Sequence, residues 1–539
     1  MLADLPAEIW TQIFDLAADE DILFQQGIPT VMAESAWYKN VVGMWNLRTP
    51  QEALNMLQRR SYATKKAIIS TCRQWRELGS EFLFRCLHFS DPKKLLSLCS
   101  ILDSSAATAT TATSSYGWWT RRIHLSRHHP SSTGQELSMA DLENVLVSII
   151  RHCPNLEIFI VERPMGTAFG PVADALATYA FRKLHTVQWS VPGESLSKVI
   201  WALNALPLIT SVHIDFDSSV PTAQECAHLG SATDIHLELP FLEQLSLQGY
   251  VEEFIEQAAG WDLPGLRSFS FDSGTSPHDP DIVEFVKAHG LPLILLDLNC
   301  VSVLDVATIL GLCPNLSVFT FNADWRIEPH DDSASVLTHN PHPNLTTIGL
   351  HGLLSAFGVG YLAARSPDDI RTRIVHRSND LNMSALNRHN FPKLRCVRAL
   401  SRFMLQDLNK ADGPSRENGG YDRWSRWWSR CAASGIRLED CTGQLLGNLP
   451  QDDEDEEKSE DESNEEESEE EVDDNDDDWG TGSEEESDYE YEFSVPPLPE
   501  GNGRTMELTR LLQEVRAMNE TRDESLIARI RIPRPESPL

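Results

Sequence analysis

Metal, thiol or histidine-based acid–base chemistry would have to draw on this chain's 17 histidines, 10 cysteines and carboxylates, and their spacing builds no reactive centre. His128 and His129 are neighbours in a Ser/Pro-rich stretch instead of lying one helical turn apart, as two ligands of one metal on a helix would. His376 and His389 have no adjacent cysteine or carboxylate motif that would pair a nucleophile with a base, so they read as surface or loop histidines. The cysteines, at 72, 86, 99, 153, 226, 300, 313, 396, 431 and 441, include no Cys-x-x-Cys pair, and zinc or disulfide frameworks need tighter spacing. None of the 29 glycines forms a Gly-x-Gly-x-x-Gly or Walker loop. The expectation is a reduced intracellular protein, in cytoplasm or nucleus, with no catalytic residue, metal or cofactor.

The polar residues that remain are arranged by a repeat. From Trp118 to Leu400 an apolar anchor, often after proline, is followed three and five residues later by two more apolar residues, as in Pro154-x-Leu156-x-x-Phe159-x-Val161 and Pro240-x-Leu242-x-x-Leu245-x-Leu247. Further copies start at Leu184, Ile209, Leu266, Leu293, Leu316, Leu345 and Leu394. Most anchors are about 22 to 33 residues apart, close to the 20 to 29 of leucine-rich repeats, with a wider gap between Leu345 and Leu394. Stretches such as Leu142, Val145, Leu146, Ile149, Ile150 and Val199, Ile200, Leu203, Leu206 have helical spacing, so each unit reads as one strand and one helix. Such a unit cannot bury both apolar faces alone, and stacking would make a solenoid with parallel strands along its concave side. The residues between the buried strand positions would face that side: Thr186, Gln188, Ser190; Ser211, His213, Asp215; Gln244, Ser246, Gln248; Ser268, Ser270, Asp272; Thr320 and Asn322. Their hydroxyls and amides suit directional contacts to a protein client, though an ordinary solvated face has the same composition. Arg122 and His124, then Ile158 and Ile160, would form a basic and then apolar entrance. A doubly wound α/β enzyme is the structural alternative, but it would need the phosphate loop that is missing.

The first ninety residues carry the strongest local pattern. Leu5-Pro6-Ala7-Glu8-Ile9-Trp10 runs to Ile13-Phe14, with Asp4 as a candidate cap and Pro6 in the first turn of a helix. Its apolar residues spread over roughly 160°, more than one docking stripe needs, so two partners are expected. Downstream, Ile68, Cys72, Trp75, Phe82 and Cys86 have helical spacing, and Thr49-Pro50-Gln51-Glu52 is a capping box with proline at the first helical position.

Leu-Pro-x-Glu-Ile-x-x-x-Ile-Phe followed by Cys-Arg-x-Trp-Arg resembles the F-box of SCF-type ubiquitin ligases, as seen in many fungal F-box proteins. The resemblance implies that Leu5, Pro6, Glu8, Ile9, Ile13, Phe14, Cys72 and Trp75 lie at or behind a surface that docks a Skp-type adaptor, and through it a cullin. The stretch from about 19 to 62 is longer than the family's link, and an insertion there could modify or even block that docking, so whether it permits docking stays open. The repeat region is similar to the leucine-rich-repeat class of F-box protein, in irregular form. The implied chain is α+β and multidomain: a small all-α F-box at 1–89 with the insertion, an α/β solenoid with a C-terminal cap at 90–449, a disordered acidic segment at 450–503, and a basic tail with a transient helix at 504–539.

The C-terminal third adds charge. Trp424, Trp427 and Trp428, interleaved with arginines, could stack on single-stranded nucleic acid, but their i, i+3, i+4 spacing favours a stripe closing the last repeat before a final strand at Ile436-Arg437-Leu438. Asp452 to Glu492 holds 26 acidic residues and one lysine, Lys458, about −25 of the chain's −36. Such a run repels itself and has little to bury. It reads as a solubilising tail or as a site for basic proteins such as histones, and serines before acidic residues, such as Ser459 and Ser463, suit acid-directed kinases. The charge balance argues against direct nucleic-acid binding. Leu291 to Cys313, the most apolar stretch, is broken by Asp297, Asn299 and Asp305, so no membrane span is expected. The function expected is a non-catalytic substrate-recognition subunit of an SCF-type ligase, with a non-degradative scaffold as the alternative.

Overall fold

The computed structural model describes residues 5–18, 20–40, 43–111, 115–127, 138–216, 229–249, 252–273, 282–300, 305–324, 337–364 and 370–451. Asp4, His128, His129, Cys226, nearly all of the acidic segment and the whole basic tail lie outside them.

Four helices open the chain: α1 (Ala7–Ala17), α2 (Glu20–Leu23), α3 (Pro50–Thr71) and α4 (Arg73–Arg85). Between α2 and α3, β1 (Ala36–Lys39) and β2 (Trp45–Arg48) pair as an antiparallel hairpin. Twelve strands follow: β3 (Cys86–Phe89), β4 (Arg122–Leu125), β5 (Ile158–Pro164), β6 (Thr186–Val191), β7 (Ser211–Phe216), β8 (Gln244–Gln248), β9 (Ser268–Asp272), β10 (Leu295–Asn299), β11 (Val318–Asn322), β12 (Thr347–His351), β13 (Cys396–Ala399) and β14 (Arg437–Glu439). They form one parallel sheet in sequence order, with helical segments in the crossovers. Strands added in order by parallel crossovers are what a strand–helix repeat must produce, since each unit hides its apolar face only against its neighbours.

The apolar repeat positions fill the core. Val187 and Trp189, Val212 and Ile214, Leu245 and Leu247, Phe269 and Phe271, Phe319 and Phe321, and Ile348 and Leu350 are all buried on one face of the sheet. Leu142, Val145, Leu146, Ile149 and Ile150 of helix Met139–His152, and Val199, Ile200 and Leu203 of helix Leu196–Asn204, are buried in the same cluster. The strand register expected from the anchors is the one observed across β5 to β12. The wide gap before Leu394 adds no strand: β12 pairs directly with β13, and the extra chain forms helices Gly360–Ala364 and Ile370–Ala385.

Several local expectations change. The helix of the second motif is two helices, because Cys72 is extended (φ −157°, ψ 171°) and both ends α3 and caps α4. Ile68 and Trp75 therefore belong to different rods. Cys86 is not helical; it begins β3, so the sheet starts before residue 90 and the helical segment shares one compact unit with it. Pro6 is the cap residue of α1, one position earlier than its expected place in the first turn. The final helix, Gly420–Ala433, splits the tryptophan stripe: Trp427 is buried edge-on to Phe357, while Trp424 and Trp428 stack at 5.6 Å and the Trp424 Nε1 donates to the Leu446 carbonyl at 3.2 Å. β14 then pairs with β13 and closes the sheet.

The capping box at Thr49 forms as expected, with Glu52 N donating to Thr49 Oγ1 at 2.9 Å and Thr49 N to Glu52 Oε2 at 2.6 Å. Thr49→Ala removes one bond of the box and unsettles the other, and its expected cost is about 1 kcal/mol, with Thr49→Ser close to wild type. Urea denaturation of the full chain checks both values.

Candidate functional site

Two surfaces gather the candidate residues. The first is α1. Leu5, Ile9, Ile13 and Leu16 follow one another at helical spacing and are 37%, 39%, 40% and 74% exposed. Pro6 and Glu8 are exposed beside them. Phe14, on the other side of the helix, is 1% exposed. Its ring lies 5.3 Å from Trp75 and 5.8 Å from Phe82, edge-on to both, and Trp10 is 4.7 Å from Trp75. Arg85 of α4 holds Asp15 of α1 at 2.8 Å and Glu81 of its own helix at 2.5 Å. The wide apolar arc of α1 is thus divided: one half makes an aromatic core with α4 and the other faces outward. Phe14 and Trp75 are packing residues. Cys72 is exposed, and its Sγ accepts from Trp75 N at 3.4 Å as the cap of α4.

The second surface is the polar face of the sheet. Strand pairing aligns the expected client residues in three rows. Ser211, Gln244 and Ser268 stand in the first; Gln188, His213, Ser246 and Ser270 in the second; Ser190, Asp215, Gln248 and Asp272 in the third, which Asn322 continues. Of these only Gln248 is exposed; Ser190 and Ser211 are buried and the others half-buried. Side chains bond along the rows: Ser190 Oγ donates to Asp215 at 3.4 Å, His213 and Ser246 share a 2.8 Å bond, Asn299 donates to Asp272 at 3.0 Å and Asn322 to Asn299 at 3.0 Å. Asp297 completes the second row and is 3% exposed. It accepts from Ser270 Oγ at 2.5 Å, from Thr320 Oγ1 and from His351 Nε2 at 2.7 Å. In sequence Asp297 had registered only as a polar break in an apolar stretch.

The face is covered because the inserted residues lie on it. α3 sits over β4 to β6, so Arg122, His124, Ile158 and Ile160 form no open entrance and are all buried. Gln58 Nε2 donates to His124 Nδ1 at 2.7 Å, His124 Nε2 donates to Glu162 at 3.0 Å, and Gln51 reaches the same Glu162 oxygen at 2.5 Å. Arg122 Nη1 donates to the Leu23 carbonyl at 2.6 Å. A cavity of about 20 Å³ among Arg122, Gln188, Ile28 and Leu54 is left there, space for about one water.

From α2 the chain runs as a strap across the later strands. Ile28 N donates to Gln244 Oε1 and Gln244 Nε2 donates back to the Ile28 carbonyl, both at 2.9 Å, on β8. Arg398 of β13 donates to the Met32 carbonyl at 2.9 Å and to Glu34 at 3.0 Å, and Ser35 N donates to the Cys441 carbonyl at 2.9 Å beyond β14.

Electrostatics separate two ends of this face. Burial pushes His124 below its ordinary value, and Arg122 adds to the effect although the Glu162 bond opposes it; burial takes neighbouring His88 down to about 3. His351 moves the other way. Burial lowers it, but attraction to Asp297 and the bond between them win, and its pKa is raised. Burial holds the thiols of Cys153, Cys313 and Cys441 at about 12, protonated and unreactive at neutral pH. Among the described residues no group of three or more His, Cys, Asp and Glu side chains could hold a metal ion, and no helix is long and apolar enough to cross a membrane.

No protein-family model matches this chain, and no curated protein matches it.

The His351–Asp297 pair makes stability depend on pH. With its folded pKa raised above 6.5, protonated His351 contributes stability that is fully present below pH 6.5 and is lost as pH rises through the raised value. Unfolding free energies of wild type should therefore decline on the alkaline side of pH 6.5, and His351→Gln should flatten that decline. Denaturant titrations from pH 6 upward test it.

Proposed function

We propose that this chain is the substrate-recognition subunit of an SCF-type ubiquitin ligase. In this reading the helical segment is an F-box that docks a Skp-type adaptor and through it a cullin, and the parallel sheet with its crossovers is an irregular leucine-rich-repeat solenoid that holds a protein client. The chain supplies no chemistry. Its contribution is to keep adaptor and client on one body, which makes ubiquitin transfer effectively intramolecular.

The observation that carries this reading is the apolar stripe of Ile9, Ile13 and Leu16, left outward on a helix whose opposite side is fixed by Phe14, Trp10, Trp75 and Phe82, with Leu5 exposed just before the cap. Three large apolar side chains in line on one exposed helix face, with a fourth just before its cap, suit a hydrophobic partner groove. The insertion favours docking over the scaffold alternative, since it leaves α1 and spreads over the sheet while the stripe stays exposed.

The test is co-purification of the full chain with a Skp-type adaptor. Stoichiometric capture is expected for wild type. Ile9→Asp with Ile13→Asp should abolish it at a stability cost of about 1 to 3 kcal/mol, because the two side chains are 39% and 40% exposed and lose the packing of the remainder. Phe14→Ala should instead cost about 3 to 5 kcal/mol by emptying the aromatic core. A folded wild-type chain that captures no adaptor would overturn the proposal.

A further inference from the structure

The strap does more than rest on the sheet: the face is shaped for it at four successive points. On β8, Gln244 pairs with Ile28 through both halves of its amide, reading the strap's main chain as a neighbouring strand would. On β12 the central row position is Gly349, and a Cβ there would come within 2.9 Å of Met32 Sδ and 2.6 Å of Thr320 Cγ2. Neighbouring strands carry Asp297, Thr320 and Arg398 at this position, so Gly349 opens the gap that Met32 enters. On β13, Arg398 takes the Met32 carbonyl with one nitrogen and the Glu34 carboxylate with another, while Glu439 fixes the guanidinium from behind at 2.7 Å. Beyond β14, Gly443 has φ +76°, and a Cβ on it would meet Glu34 Oε2 at 3.1 Å and collide with Oε1. Glu34 therefore lies in a slot between a glycine and an arginine.

What the strap gives in return is slight. Of residues 26–35 only Ile28 and Ser35 are buried, and the others keep part of their surface in water. Two of the main contacts address its backbone and would serve any extended chain. This pattern of backbone recognition, one apolar seat, one gap for an unbranched side chain and one carboxylate clamp is that of a peptide-binding groove holding a peptide.

We propose that the polar face from β8 to β14 is a groove for an extended protein segment, and that residues 26–35 occupy it as an internal stand-in for the client. The segment it takes has the strap's own chemistry: an apolar residue followed by proline, an unbranched apolar residue four positions after the first, and an acidic residue two further on, as in Ile28, Pro29, Met32 and Glu34. Client binding at this face then requires the strap to leave. The inference rests on the reading of the chain as a client receptor, and it gives that receptor a specificity and a competitor.

The probe is a fluorescein-labelled peptide of residues 25–36, titrated by anisotropy against full chains at fixed salt. Wild type should bind it weakly or not at all. A chain with residues 26–35 replaced by Gly and Ser at equal length should bind it saturably. Adding Gln244→Leu or Arg398→Met to that chain should weaken binding by roughly tenfold or more, since each removes two bonds to the peptide. A folded replacement chain that ignores the peptide overturns the proposal. Hydrogen exchange of unaltered wild type gives an independent check. The Ile28 and Ser35 amides should exchange through local opening, at least about a hundredfold faster than core amides of β8 to β11; exchange at the core rate would make the strap a permanent part of the fold and overturn the proposal. Adaptor capture by the replacement chain is read separately, so a failure of the groove and a failure of the ligase reading give different results.

Discussion

The Glu162 carboxylate is the contact on which the arrangement of this molecule depends. It lies on β5 at the boundary between sheet and helices, only 12% exposed, and collects the His124 ring, the Gln51 amide and the Arg127 backbone amide. Burial alone would raise its pKa, but these donors more than offset that, and the pKa is lowered. An ionised group so placed tolerates little displacement of its partners, because losing one leaves a buried charge short of bonds. His124 passes the constraint to Gln58, and Gln58 also receives the Cys86 thiol at the start of β3. Through this chain α3 has a fixed seat on the sheet. α1 inherits the seat through Ser61, whose hydroxyl donates to the Ala18 carbonyl at 2.6 Å.

With that seat fixed, two further features follow from one packing arrangement. The outward stripe of α1 has a set direction relative to β3 to β6, and the inserted residues, which must travel from α2 to α3, have the polar face as their route. The same face is polar because the apolar repeat positions are spent on the other side, against the crossover helices. Its hydroxyls, amides and carboxylates stand in rows across the paired strands. Many of them bond one another or the crossing backbone, though Thr186 Oγ1 and Gln188 Oε1 are buried without a partner among the described residues, and the buried Asp297 is tolerated only because Ser270, Thr320 and His351 surround it.

How much of this could be read in the sequence depends on the range of the interaction responsible. The strand register was legible because each anchor, such as Leu242 before Leu245 and Leu247, announces its own strand within a few residues. The Thr49 box was legible for the same reason, since every partner lies within one turn. The break at Cys72 was not, because α3 and α4 each carry apolar residues at helical spacing and the period runs across the joint. The strap was not legible at all: Ile28 and Gln244 are 216 residues apart, and neither has a property that names the other. Gly349 and Gly443 look like ordinary glycines until Met32 and Glu34 are seen beside them. The polar face was therefore predicted correctly in composition and orientation, and wrongly as open.

The bond from Arg398 to Met32 spans 366 residues of chain, and this has a kinetic meaning. A protein made at about 5 to 20 residues per second exposes its N-terminal part for roughly 20 to 70 s before the arginine that holds the strap has been synthesised. The early strands can pair as they emerge, since each needs only its predecessor, whereas the strap must wait for the far end. Loop closure over such a distance is slow, and high contact order delays the last step further. Each nascent copy thus passes through a stage in which the earlier strands are paired and the strap is not yet held at its Met32 and Glu34 end.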